Sequence, residues 1–265
     1  MCRLLAMTSN MKTNLGFSFD RLCRVAEEKE HKDGWGIAWL EGRNIQHDKG
    51  GTPLWKSDRA RELIGRVNSR LIIVHARKRS PDSPRAARVN SHPFINKALG
   101  RRWVFAHNGS VSVDYPESKR KLTSEGVDSE RFFHYLLNTM EDIGGEEPDT
   151  VQVALRKREF WEKIDVKSSL NFILASKNYL YAFRYHVERA AYYTLYWLRR
   201  TWKDAMGKEI KKREGEIAFI VCSEKLTEKP WYSIDMERWK PMENGEMLIV
   251  KVGEPCEVNC TKLFP

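Results

Sequence analysis

Cysteine is scarce in this chain of 265 residues, and what is present does not pair. There are five cysteines, Cys2, Cys23, Cys222, Cys256 and Cys260. An odd number at low density excludes a disulfide framework as the expectation and makes a reducing cytoplasm the default compartment. No C-x-x-C occurs, and Cys256 and Cys260 have no second Cys or His pair near them in sequence. No zinc site is therefore expected there. One of the two thiols is read as apolar and the other as a surface group near a strand end. Long apolar runs are missing too. The longest, around Leu71–Val74 and Leu248–Val250, hold about five to eight residues, against the ~20 of a membrane helix. No basic-then-apolar leader opens the sequence, so no secretory signal is expected. With 41% hydrophobic and 31% charged residues, collagen-like, low-complexity and wholly disordered chains are excluded.

Acidic residues are the minority, and the formal net charge is +10. The excess is local: Lys56 to Arg102 holds thirteen basic residues and only Asp58, Glu62 and Asp82 as acids. Such a block can attract a small acidic metabolite, nucleic acid or an acidic protein surface, or it can simply be a solvated face. No RNP-like signature, zinc finger or helix-turn-helix pattern accompanies it, so nucleic acid is not the expected partner.

Apolar spacing predicts helices over Phe17–Glu28, Asp58–Asn68 (Asp58 as N-cap), Asp128–Met140 and Asp149–Ile164, the last capped by Asp149 or Thr150. Strands are predicted at Arg3–Met7, Gly34–Leu40, Leu71–His75 and Trp103–Ala106. Ser169–Ala175 and Tyr179–Tyr185 flank Lys177-Asn178 as a hairpin, and Ala190–Leu198, Ile217–Ser223 and Met247–Val252 follow as further strands. The polar, basic stretch Arg199–Glu216 is the candidate for an exposed insertion. Strands, then helices, then strands, with no repeat and no interdomain linker, predict a single α+β domain spanning residues 2–265.

Cys2 is the most informative residue. Initiator methionine is commonly removed before a small side chain, and removal would put a thiol and a free α-amine on one residue. An α-amine with a reference pKa of ~7.7–8.0 can take the thiol proton directly or through a water, so nucleophile and base arrive together. A retained Met1 would leave no free amine and an inactive chain. Asp33-Gly34-Trp35-Gly36 sets two glycines around an aromatic at a strand entry, where positive φ or close backbone approach is permitted. His75-Ala76-Arg77 ends a buried strand, where a guanidinium is costly unless paired and could clamp a carboxylate bidentately. At His107-Asn108-Gly109 an Asn side-chain N–H and the next backbone N–H can point at one spot as an oxyanion hole.

Taken in order, Met1-Cys2-Arg3-Leu4-Leu5, His31-Lys32-Asp33-Gly34-Trp35-Gly36, His75-Ala76-Arg77, Asn90-Ser91-His92-Pro93-Phe94, His107-Asn108-Gly109 and Asp128-Ser129-Glu130 resemble the class II glutamine amidotransferases, a branch of the N-terminal-nucleophile hydrolases. Ser223-Glu224-Lys225-Leu226 with Trp231 is similar to the C-terminal part of the small stand-alone subgroup. The resemblance implies a four-layer αββα sandwich and a thiol that attacks a γ-glutamyl amide. By motif it implies Cys2 as nucleophile, Asn108 and Gly109 as oxyanion hole, Arg77 at the substrate α-carboxylate and Asp128 at its α-amino group. Asp33, Gly34, Trp35, Gly36, His75, His92 and His107 are read as structural residues near the site, with Trp35 packing under the active-site strand. No cofactor or metal is expected. The family usually has a small or apolar residue and then Thr after the arginine. Here Lys78-Arg79-Ser80 stands instead, so Ser80 keeps a hydroxyl beside a more basic mouth.

The chain has no length left for a synthase domain. The leading expectation is a stand-alone amidohydrolase with one small-molecule substrate class: glutamine, its ammonia passed to a separate synthase or other ammonia-accepting subunit, or a γ-glutamyl amine or peptide. The alternative is a degenerate amidotransferase fold serving as a basic binding module for nucleic acid or an acidic protein.

Overall fold

The computed structural model describes residues 2–80, 87–114, 120–201, 213–227 and 237–263. Strand alternation decides its layers. In one antiparallel sheet the order is β11 (Lys240–Pro241), β9 (Tyr196–Thr201), β10 (Ile217–Cys222), β1 (Arg3–Thr13), β4 (Ser69–Ala76), β2 (Trp35–Glu41) and β3 (Asn44–Gly50). The second sheet runs β13 (Val258–Lys262), β12 (Glu246–Lys251), β8 (Tyr179–Arg184), β7 (Ile164–Ala175), β6 (Arg101–Val113) and β5 (Phe94–Ala98).

Successive side chains of a strand point to opposite faces, and here both faces are apolar. Leu5, Met7, Ile72 and Val74 pack against Phe19 and Leu22 of α1 (Gly16–Glu28) and Leu63 and Ile64 of α2 (Asp58–Arg66). Their neighbours Leu4, Ala6, Leu71 and Ile73 face Val104, Ala106, Ile173 and Ala175 of the other sheet. On the far side of that sheet, Phe105, Phe172 and Phe183 meet Phe132, Phe133 and Leu136 of α3 (Asp128–Ile143). The Phe105 and Phe133 rings stack at 5.1 Å. The helices α4 (Asp149–Arg156) and α5 (Arg158–Trp161) complete that outer layer with Val151, Leu155 and Phe160. The result is a four-layer αββα sandwich, as the resemblance implied.

Several local expectations are corrected. The helix expected over Asp149–Ile164 breaks at Lys157, and Ile164 already belongs to β7; Pro148 precedes α4, and neither Asp149 nor Thr150 caps it by its side chain. Ser57, not Asp58, caps α2, its hydroxyl accepting from the Ala60 N–H at 3.2 Å. The strand expected over Ala190–Leu198 is Tyr196–Thr201, so Arg199–Thr201 belong to a strand and not to an insertion. Residues 202–212 of the expected insertion, and Trp231, lie outside the described residues. Cys256 and Cys260 are both exposed, so neither is the apolar thiol expected.

The aromatic layer under β6 carries much of the packing. Phe105→Ala leaves a cavity among Phe132, Phe133 and Phe172 and should cost about 3–5 kcal/mol. Urea unfolding of the two proteins, with unchanged slope, measures it.

Candidate active site

Four candidate side chains continue the rows that face the space between the sheets. Cys2 has the parity of Leu4 and Ala6; His75 and Arg77 have that of Leu71 and Ile73; Asn108 has that of Val104 and Ala106. The register places them at one end, with Arg3 opposite Ala76 and Gly36 opposite His75. The aliphatic interior thus gives way at that end to a thiol, an imidazole, a guanidinium and an amide.

Glycines let the segments close together. Gly36 lies so near the loop before β5 that a Cβ would fall 2.0 Å from the His92 carbonyl oxygen. Gly34 sits at φ +125°, against Ser91 Oγ and the Gly50 carbonyl. Gly109, at φ +154° beside the irregularity that separates it from Val111, leaves 1.8 Å between a notional Cβ and the Ser169 carbonyl oxygen. At these three places a side chain would displace backbone. Trp35 is buried against Gly50 in the core on the helical side of its sheet.

Cys2 is half-buried at the head of β1. Its thiol donates to the Lys78 carbonyl at 3.7 Å. Burial pushes the thiol above its usual range, opposed by the Lys78 contact and by the charges of the chain terminus, Arg77 and Arg3. Cys23 and Cys222 are held up at about 12, chiefly by burial.

Arg77 is buried, and Asp33 meets part of the cost: its carbonyl accepts from the guanidinium at 3.2 Å. Backbone bonds between Asp33 and Arg77 and between Arg77 and Gly34 tie the two loops, and the Asp33 carboxylate accepts from the Arg79 N–H at 2.9 Å. Ser80 is exposed. Asp128 opens α3 and joins it to the β6 irregularity. One of its oxygens accepts from Val111 N–H at 3.1 Å, the other from Ser129 N–H at 2.7 Å. Asn108 is buried, and its Oδ1 has no hydrogen-bond partner among the described residues.

Three imidazoles connect the two sheets. His75 and His92 share a hydrogen bond of 3.0 Å between ring nitrogens, with ring centres 4.4 Å apart, and His107 lies 6.4 Å beyond His92. His107 is held by Ser129 Oγ at 2.8 Å and the Ser169 carbonyl at 3.1 Å. Burial keeps all three below the usual histidine range, His75 and His92 well below it. Neutral rings can serve here as donors, acceptors or metal ligands.

Sequence reasoning missed the frame around these groups. Arg3 pairs with Glu224 at 2.8 Å and donates to the Cys2 carbonyl at 3.0 Å. Asn90 and Glu125 are joined by two 2.9 Å bonds. Glu224 stands within a quoted motif, but nothing in the chain's order signals that it meets Arg3. A cavity of about 410 Å³ opens beside Arg3 and Glu224, lined also by Lys78, Tyr192 and Tyr196 among others. The basic block does not form one surface. Arg77, Lys78 and Arg79 stand at the site, whereas Lys97, Arg101 and Arg102 join Arg43 and Lys177 around a groove of about 790 Å³ at the other end of the sandwich.

The chain belongs to the class II glutamine amidotransferases, whose family model matches residues 1–264. A Haemophilus influenzae protein named "Putative glutamine amidotransferase" is 27% identical over 96% of this chain and 85% of its own length. A crystal structure described as a predicted glutamine amidotransferase from Pseudomonas aeruginosa superposes with a TM-score of 0.62 at 21% identity, covering 96% of this chain and 98% of that one. Glutamine phosphoribosylpyrophosphate amidotransferase of B. subtilis has a TM-score of 0.63 at 14% identity and covers 99% of this chain, which spans 49% of that enzyme. At such identities the two structures establish the fold. No helix among the described residues is long and apolar enough to cross a membrane.

The buried histidines set a pH dependence. Besides the three at the site, buried His134 also lies below the usual range, chiefly through burial. Between the unfolded value of ~6.5 and the lower folded values, the unfolded chain binds more protons. Stability is therefore full above pH ~6.5 and falls as pH drops below it. Urea midpoints from pH 7.5 to 5 should decline steeply, and less steeply in His92→Asn.

Proposed function

We propose that the protein is an amidohydrolase of γ-glutamyl amides, with Cys2 as nucleophile. The observation that carries the reading is the shared end of the inter-sheet layer, where Cys2, His75 and Arg77 continue the inward rows of one sheet and Asn108 that of the other.

Burial keeps the Cys2 thiol protonated, so its proton must leave as the sulfur attacks. Once Met1 is removed, the α-amine of the same residue takes it. Sulfur bonds to the amide carbon, and the oxygen becomes an oxyanion held by the Asn108 side-chain N–H and the Gly109 backbone N–H. The amine then returns the proton to the leaving nitrogen, the C–N bond breaks, and ammonia or an amine departs. Water repeats the addition on the thioester, releasing glutamate and the thiol. Arg77 holds the α-carboxylate and Asp128 the α-amino group. Ser80, at the exposed edge, contributes a hydroxyl to the mouth. The reaction belongs in a reducing cytoplasm, where the thiol stays free. If the substrate is glutamine, the ammonia passes to a separate synthase or other acceptor subunit.

A panel of γ-glutamyl amides, amines and peptides, with released glutamate and amine both measured on protein whose mass confirms loss of Met1, tests the reading. Failure to release glutamate from any of them would sink it. Asn108→Ala should lower kcat roughly 10²–10³-fold with a smaller change in KM, since the donor acts on developing charge. An unchanged kcat with raised KM would make Asn108 a ground-state contact.

Arg77→Lys should raise KM by the equivalent of about 1.5–3 kcal/mol, because an ammonium cannot make two parallel N–H bonds. Blocking the substrate α-carboxylate as an amide should cost the native enzyme about the same. The two losses should not add; full additivity would assign Arg77 to the fold.

A further inference from the structure

Cys2, His75 and His92 come from the head of one strand, the end of a second and the loop leading to a third. Yet one donor atom from each lies within 4.8 Å of the other two. The facing nitrogens of the two imidazoles are 3.0 Å apart. In a tetrahedral zinc site with Zn–N of about 2.0–2.1 Å and Zn–S of about 2.3 Å, neighbouring donors are about 3.3–3.7 Å apart. Small side-chain adjustments would therefore bring the three donors to one ion.

The imidazoles carry a second sign. His75 Nδ1 and His92 Nε2 are both buried without a hydrogen-bond partner among the described residues, although buried polar atoms are normally satisfied. This pair therefore holds more nitrogen lone pairs and N–H groups than the protein around it uses. Loss of Met1 adds a fourth donor, because a terminal aminothiol closes a five-membered chelate ring through sulfur and nitrogen.

We infer that Cys2, His75 and His92 form a binding site for one thiophilic divalent cation of the zinc class. Thiolate and imidazole together favour zinc or cobalt over magnesium or calcium. The step is an exchange without redox: the Cys2 S–H bond breaks and its proton goes to solvent, the proton shared between the facing imidazole nitrogens moves to the unpartnered outer nitrogen of its own ring, and sulfur and the two facing nitrogens bond to the ion. Arg77 and Arg3 place positive charge near the thiol and work against a dication, so the ion is exchangeable. Its consequence, reversible inhibition, rests on the proposed role of Cys2 as nucleophile; the binding does not.

Cobalt(II) is the probe, added to metal-free protein whose mass shows loss of Met1. One equivalent should give sulfur-to-cobalt charge-transfer absorption and tetrahedral d–d bands, both removed by zinc. Cys2→Ala should abolish the charge-transfer band. His75→Gln and His92→Gln should each weaken binding at least as much as the roughly 10–100-fold that loss of an outer-shell partner costs. Should either variant unfold, X-ray absorption of the zinc-loaded native protein replaces it, with one sulfur and at least two imidazoles as the expected shell. Absence of the band, its persistence in Cys2→Ala, or a shell without imidazole overturns the site.

Glutamate release, measured in parallel, separates the two proposals. Binding through Cys2 in a protein that hydrolyses no γ-glutamyl amide leaves the site standing and removes the function. Hydrolysis untouched by saturating zinc, with no band, does the reverse.

Discussion

Everything at the active end depends on two sheets meeting through small aliphatic side chains. Leu4, Ala6, Ile73, Val104, Ala106 and Ala175 fill the space between them. Alanine recurs there while phenylalanine fills the outer layer, so the sheets lie close and their registers are fixed together. A shift of one residue in β1 would turn Cys2 toward the helices and Arg3 inward. The position of the thiol is thus settled by hydrophobic contacts several residues away, and it is held at the margin by Arg3, paired with Glu224.

That placement carries a cost in charge, and the structure shows how it is contained. Arg77 would be expensive at the end of a buried strand, but Asp33 meets it with a carbonyl and ties its neighbour Arg79 with a carboxylate. The histidines are kept neutral by burial; His75 and His92 bond to each other, and His107 bonds to Ser129 and the Ser169 carbonyl. Glu130 is satisfied by Thr123 and Ser124, which hold its carboxyl below the usual range against the opposing effect of burial. Polar groups at this end mostly find partners locally. Among the described residues, Asn108 Oδ1, His75 Nδ1 and His92 Nε2 do not, and nor do Arg3 Nε and Trp35 Nε1.

Much of this was legible in the chain. Motifs in a fixed order pointed to the fold, and the structure gathers Cys2, Arg77, His75, His92 and Asn108 at one end. The apolar runs of β4 and β10 read directly as strands. Other elements left no trace. β3 is Asn-Ile-Gln-His-Asp-Lys-Gly, an edge strand with Ile45 as its buried apolar residue, and β13 is a polar edge strand. Edges need little apolar surface, so periodicity fails there. The break at Lys157 and the cap at Ser57 are one-residue decisions that spacing cannot resolve. Arg3 with Glu224, or Arg200 with Glu237 at 2.5 Å, are pairs that only the folded topology brings together.

The central claim is that an acyl group passes through Cys2 and no other thiol. Rapid acid quenching during turnover of a γ-glutamyl amide, followed by intact mass and peptide mapping, tests it most directly. The account predicts a γ-glutamyl adduct on Cys2, only in protein that has lost Met1, formed and lost at rates matching turnover. Turnover with the adduct on Cys23, Cys222, Cys256 or Cys260, or on protein that retains Met1, would contradict it.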